Sequence, residues 1–131
     1  MNQLVTIALA VVLIGVLIIP NALALFRSPP DNADEIRDMV NDGEALLVDV
    51  RTGREYSTNG LDEAINIPVQ ELSRRYQELG SKDQPIVVYC RSGNRSSSAK
   101  AMLEEYGFEE VHDLGALGTA QKVMSEESSD E

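Results

Sequence analysis

Cys90 stands at the end of the uncharged run Pro85-Ile-Val-Val-Tyr89, and Arg91-Ser92-Gly93-Asn94-Arg95 and Ser96-Ser97-Ser98 follow it. A β-branched run reads as a strand, and the residues after it as a tight turn into a helix. Gly93 and Asn94 are residue types that tolerate positive φ. Such a loop can turn successive backbone N–H groups inward and form an anion cradle at a helix N-terminus. The chemistry this suits is that of a thiolate. Arginines and a helix N-terminus lower a thiol's pKa, and the thiolate is the nucleophile. Gln84 to Leu103 holds Arg91, Arg95 and Lys100 and no acid, in a chain with twice as many acids as bases. A lone cysteine at a strand end is ordinarily a small buried hydrophobe. The Cys-Arg-x-Gly-x-Arg spacing and the acid-free window point instead to a reactive one.

The rest of the composition narrows the alternatives. The chain has 131 residues, enough for one compact domain. A net charge of −11 argues against sequence-independent nucleic-acid binding, which needs a basic surface. One cysteine excludes an internal disulfide framework and a Cys-pair zinc site, and one histidine, His112, excludes a two-His metal site. With no second cysteine there is no resolving thiol for a thioredoxin-like exchange.

The elements that must position Cys90 follow from pattern. Asn32 is expected to cap a helix, with Glu35 as its reciprocal partner. Ile36, Met39 and Val40 form the apolar face of that helix, and Gly43 ends it. Ala45-Leu-Leu-Val-Asp-Val50 reads as a strand buried on both faces. Glu55 to Asn59 reads as a short turn or half-helix, and Ala64-Ile-Asn-Ile67 as a second strand stopped by Pro68. Val69, Leu72, Tyr76 and Leu79 have helical spacing. So do Ala99, Met102, Leu103 and Tyr106, with Gly107 behind them. Glu110 to Leu114 is a last strand. This alternation implies a parallel sheet with helices on both faces, whose ligands bind beyond the carboxyl ends of the strands. His112 reads as a strand surface residue and Arg74-Arg75 as a solvated helix face.

Cys90-Arg-Ser-Gly-Asn-Arg95-Ser96 resembles the active-site loop of the rhodanese family of sulfurtransferases. Leu46-Leu-Val-Asp-Val-Arg51 resembles the family's leading strand, with Asp49 and Arg51 at its Asp-x-Arg signature. Glu55-Tyr56 resembles the acidic-aromatic pair that follows, and Ala64-Ile-Asn-Ile-Pro68 the Ala-x-Asn-Ile-Pro segment. The resemblance runs from about Ala33 to Leu117 and is most similar to small, single-domain bacterial thiosulfate sulfurtransferases. It implies an α/β sandwich around a mostly parallel five-stranded sheet. The chain departs from the family at Gly60-Leu-Asp-Glu-Ala64, where the usual His is absent and Glu63 replaces a Gly. It also departs at Asp113-Leu-Gly-Ala-Leu-Gly118, which keeps only part of a Gly-Gly and lacks the following Trp.

Three functions compete. In the first, Cys90 takes a sulfane sulfur from thiosulfate or a similar anionic donor and passes it to a thiol or cyanide. Arg91, Ser92, Gly93, Asn94, Arg95 and Ser96 bind the donor, Asp49 and Arg51 brace the loop, and no metal or organic cofactor is needed. The second is a non-catalytic rhodanese-like module that binds a partner at the membrane. The third is a Cys-dependent phosphatase or arsenate reductase. That chemistry needs Cys-x5-Arg around a tetrahedral oxyanion, whereas here the spacing is Cys-x4-Arg.

The organisation along the chain is a hydrophobic segment at 1–26, a linker at 27–32, the folded domain at 33–124 and an acidic disordered tail at 125–131. No charged residue occurs from Met1 to Phe26, and Leu4 to Leu25 is long enough for the roughly 20 apolar residues of a bilayer core. Two readings stay open: an uncleaved single-pass anchor, and a secretory signal peptide cut after Ala22-Leu-Ala24. The uncharged start Met1-Asn2-Gln3 and the length of the apolar run favour the anchor. Arg27 alone sets orientation only weakly, so the cytoplasmic and periplasmic sides are both allowed. We predict that the chain fractionates with membranes and keeps Met1. A mature N-terminus at Leu25 in the soluble fraction, read by mass spectrometry, would instead identify a cleaved signal.

Overall fold

The structure, a computed structural model, describes residues 29–126. The anchor or signal segment and most of the acidic tail lie outside the described residues. Among the described residues no helix is long and apolar enough to cross a membrane.

The elements run α1 (Ala33–Asn41), β1 (Leu46–Asp49), α2 (Gly53–Asn59), β2 (Ala64–Asn66), α3 (Leu72–Arg75), β3 (Ile86–Cys90), α4 (Asn94–Glu105), β4 (Val111–Ala116) and α5 (Leu117–Ser125). One-turn 3-10 segments, Val69–Glu71 and Tyr76–Leu79, flank α3. The helical spacing of Val69 to Leu79 is therefore realised as three short pieces. Arg75 pairs with Glu71 and Glu78 there, on the solvated face expected of Arg74-Arg75.

Among the described residues four strands lie in the order β2-β1-β3-β4, and every pair is parallel. This corrects the expected five strands. Five came from the family resemblance, whereas the sequence has only four apolar runs of strand character in this region. The chain ahead of α1 includes Pro29 and Pro30, which carry no N–H to offer a ladder.

The winding reverses at β1. From there the chain steps outward to β2, crosses back to β3 and continues to β4. Crossovers of one hand that step in opposite directions place their helices on opposite faces. Accordingly Leu72, Leu79, Ala99 and Leu103 pack on one face of the sheet with Val48, Val88 and Cys90. Ile36, Ala120 and Val123, with the half-buried Tyr56, pack on the other with Leu47, Val87 and Tyr89. Strand β3 feeds both cores because its alternate residues point to opposite faces. All five are buried. Helix α5 is nine residues long and buries Ala120 and Val123, so the chain makes a packed last helix without the family's Trp.

Two local expectations change. Asn32 sits at the start of α1 but its side chain caps nothing. Its φ of −103° and ψ of 26° are not the extended conformation from which a cap reaches back. The reciprocal capping box forms instead on α2. There the Glu55 N–H donates to Thr52 Oγ1 at 3.2 Å, and the Thr52 N–H donates to Glu55 Oε1 at 3.3 Å. The departure at Glu63 is accommodated simply. Among the described residues no residue other than glycine has positive φ, so the loop does not need the glycine it lacks. Two tyrosines hold that loop: Leu61 N–H donates to Tyr89 Oη at 3.1 Å, and Tyr56 O–H donates to the Ala64 carbonyl at 2.7 Å.

Asp49 and Arg51 form a strut behind the ends of β1 and β3. The Arg51 guanidinium donates to both Asp49 oxygens, at 2.7–3.1 Å, and to Asn59 Oδ1 at 2.8 Å. The Asn66 amide donates to the Asp49 and Arg51 carbonyls at 2.9 Å each. Asp49 is 0% exposed and Arg51 2%. Removing one partner of a buried pair leaves an uncompensated charge. Asp49→Ala is therefore expected to cost about 3–5 kcal/mol, read as a lower urea midpoint. Replacing both, Asp49→Ala with Arg51→Met, should recover part of that loss.

Candidate active site

The reversal of winding between β1 and β3 leaves a crevice at the carboxyl ends of these strands, where open α/β sheets bind ligands. Cys90 ends β3 there, and Asp49 ends β1 beside it.

The loop after Cys90 is built around one left-handed residue. Gly93 has a φ of +98°, which a side chain would strain, and its Cα side faces Gly115 of β4 at close range. That turn aims the Gly93 N–H at the sulfur, and it donates to Cys90 Sγ at 3.0 Å. Helix α4 begins at the next residue, Asn94. Ser96, fully buried in its first turn, places Oγ 3.5 Å from Sγ. Its hydroxyl also lies 3.1 Å from the Gly93 carbonyl and 3.5 Å from that of Gly115. A hydroxyl has one hydrogen to give. With a thiol at Cys90, the S–H donates to Ser96 Oγ and the Ser96 O–H points to a carbonyl. With a thiolate, the Ser96 O–H can turn to the sulfur.

Two opposing effects set the acidity of Cys90. Burial pushes the thiol up. The Ser96 hydroxyl and the backbone N–H groups of Ser96, Gly93 and Ser92 outweigh it and hold the thiol below its ordinary range. The loop thus brings Cys90, Ser92, Gly93 and Ser96 together on one sulfur. Asn94 is exposed and serves as the first residue of α4, where its carbonyl accepts the Ser98 hydroxyl at 3.2 Å.

The two loop arginines differ. Arg95 closes the loop, but its guanidinium is held by the Glu55 carboxylate at 2.7 and 3.0 Å. Arg95 holds the Glu55 carboxyl down to about 2, against burial and with help from Thr52. A carboxylate lowered on folding adds stability above its unfolded pKa near 4.5. It loses that contribution as pH falls through about 2. The clamp on Arg95 therefore persists through mildly acidic pH. Arg91 is exposed and makes no ion pair among the described residues. Glu55 is the partner that sequence reasoning assigned no role at the loop, since it lies 40 residues from Arg95. Its capping pattern, Thr52-Gly-Arg-Glu55, was the available signal. His112 sits on β4, half-buried and bonded to Glu110 at 2.9 Å, as a strand surface residue. Among the described residues no cluster of His, Cys, Asp and Glu suited to a metal ion occurs.

The chain is similar to known proteins. Residues 32–115 match the family model of the rhodanese-like domain. The chain is 35% identical over 71 residues to the thiosulfate sulfurtransferase PspE of Escherichia coli K12, covering 53% of this chain and 68% of that protein. It is 33% identical over 85 residues to the tRNA uridine(34) hydroxylase of Sodalis glossinidius, covering 61% of this chain but only 24% of that longer protein. A solved structure, the human single-domain sulfurtransferase TSTD1, superposes with a TM-score of 0.60 at 25% identity, over 71% of this chain and 93% of that one.

The acidity of Cys90 can be read directly. Thiolate ultraviolet absorbance should appear below the ordinary cysteine range as pH rises. Ser96→Ala should move the midpoint upward and reduce the thiolate-to-thiol ratio by about tenfold, the effect of one hydrogen bond to a charged group. An unmoved midpoint would show that the backbone donors alone set the acidity.

Proposed function

The chain belongs to the rhodanese family, and on that premise we propose that it is a thiosulfate sulfurtransferase working through a persulfide on Cys90. The observation that carries the reading is the sulfur of Cys90 held at 3.0 Å by the Gly93 N–H, in a loop that lowers its pKa.

The Cys90 thiolate attacks the outer sulfur of thiosulfate. A bond forms from Sγ to that sulfur, the sulfur–sulfur bond of the donor breaks, and sulfite leaves with the electron pair. The negative charge moves to the outer sulfur of the persulfide. The inward N–H groups of the loop and Arg91 stabilise the anionic donor and the developing charge. A thiol acceptor then removes the outer sulfur and returns Cys90 to the thiolate, so the two half-reactions alternate. Arg95, engaged by Glu55, fixes the shape of the loop. The name of the E. coli relative supports thiosulfate as donor. The uncharged run of residues 1–26 supports a single-pass membrane address for the enzyme.

Intact mass before and after thiosulfate tests the proposal. The protein should gain one sulfur atom and lose it again on addition of cyanide or a thiol. Cys90→Ser should take up no sulfur and transfer none while unfolding at the same urea midpoint, because a hydroxyl cannot carry a transferable sulfane sulfur. Undiminished transfer by that variant would overturn the mechanism.

A further inference from the structure

Beside the Cys90 loop lies a groove of about 380 Å³ lined by Arg51, Arg54, Glu55, Thr58, Asn59, Arg91 and Leu117. Three of its residues are arginines, in a protein of net charge −11. Their charges are not equally available. Arg51 is neutralised by Asp49, and Glu55 by Arg95. Arg54 and Arg91 are exposed and form no ion pair among the described residues. The groove therefore keeps two uncompensated cations. Arg91 follows Cys90 in the chain, so the groove borders the loop that holds the sulfur. Its volume is that of a pocket for a small organic molecule, far larger than thiosulfate requires.

We propose that this groove is the acceptor subsite, that it selects thiols bearing carboxylates, and that Arg54 is the residue that sets this preference. The inference rests on the persulfide mechanism above. A carboxylate is a group whose geometry matches the arginine fork, through paired, charge-assisted N–H bonds. Thr58 and Asn59 add polar groups along the wall, and Leu117 offers apolar contact to the carbon skeleton. With the carboxylates on Arg54 and Arg91, the acceptor thiol attacks the outer sulfur of the Cys90 persulfide. A new sulfur–sulfur bond forms to the acceptor, and the bond from Sγ breaks. The acceptor thiol's proton passes to the outer sulfur, the electron pair returns to Cys90 as the thiolate, and the acceptor leaves as a hydropersulfide carrying that proton.

The test separates loading from discharge. The full chain is loaded with thiosulfate, checked by intact mass, and discharged with mercaptosuccinate, which carries two carboxylates, or with neutral 2-mercaptoethanol. The wild type should show the lower KM for mercaptosuccinate. Arg54→Ala should raise that KM by about tenfold, the loss of one charge-assisted contact, with much less change for 2-mercaptoethanol. Arg54→Glu should reverse the preference. An unchanged ratio of the two thiols in both variants would overturn the subsite. So would an effect of Arg54→Ala confined to thiosulfate loading. Failure of the wild type to load from thiosulfate would count against the donor alone. The persulfide is then made with inorganic polysulfide and the discharge comparison runs unchanged.

Discussion

A buried sulfur whose thiol is held below its ordinary range is the constraint around which this structure is arranged. Cys90 is 0% exposed, and burial by itself favours the neutral thiol. A thiolate charge is stabilised only if donors reach the sulfur inside the protein. A strand running straight into a helix supplies them, because the first N–H groups of a helix have no partners within it. The left-handed Gly93 turns the chain sharply enough to bring those donors onto Sγ. The same turn sets Gly93 beside a second positive-φ glycine, Gly115, on β4. Its register slips between Val88 and Tyr89, so that Gly115 pairs with Tyr89 and lies beside the loop. The irregular edge of β4 and the acidity of Cys90 are thus parts of one geometry.

Charges near the site divide by whether they are already engaged. Asp49 with Arg51, and Glu55 with Arg95, are neutral pairs that hold backbone in place. A neutral pair adds little net field at the sulfur but fixes where the loop ends and where α2 sits against it. The cations left over, Arg91 and Arg54, are exposed on the solvent side. An overall charge of −11 repels any anion at long range. Two uncompensated arginines at the mouth oppose that repulsion locally, and salt at physiological strength shortens its reach to about 8 Å.

Much of this was legible in the sequence because it rests on local patterns. The β-branched run 86–88, the Cys-Arg-x-Gly-x-Arg spacing and the helical faces at Ile36 and Leu103 each specify an element within a few residues. The strand ends and the cap of α1 were less legible. A cap depends on backbone angles that Asn32 does not adopt, whereas Thr52 does. The sheet of four strands, where five were expected, shows the limit of carrying a family's architecture onto a chain whose described residues hold no further strand-like run. Least legible were the pairings across distance. Glu55 with Arg95, and Tyr89 with Leu61, bring together residues 40 and 28 positions apart, and no local pattern encodes them.

Those distant pairings explain how the chain tolerates its departures from the family. The loop from Gly60 to Ala64 lacks the usual His and carries Glu63 for Gly, yet it stays tied to the site from two sides. Tyr89, one residue before Cys90, accepts the Leu61 N–H, and Tyr56, one residue after Glu55, bonds to the Ala64 carbonyl. Gly60 itself is constrained differently, because a Cβ there would lie 2.2 Å from the Tyr56 ring. The loop's position is thus set by Tyr56 and Tyr89, both anchored next to residues that shape the Cys90 loop. Residues facing outward between these ties, such as Asp62 and Glu63, are then free to change without moving the sulfur or the arginine that Glu55 holds.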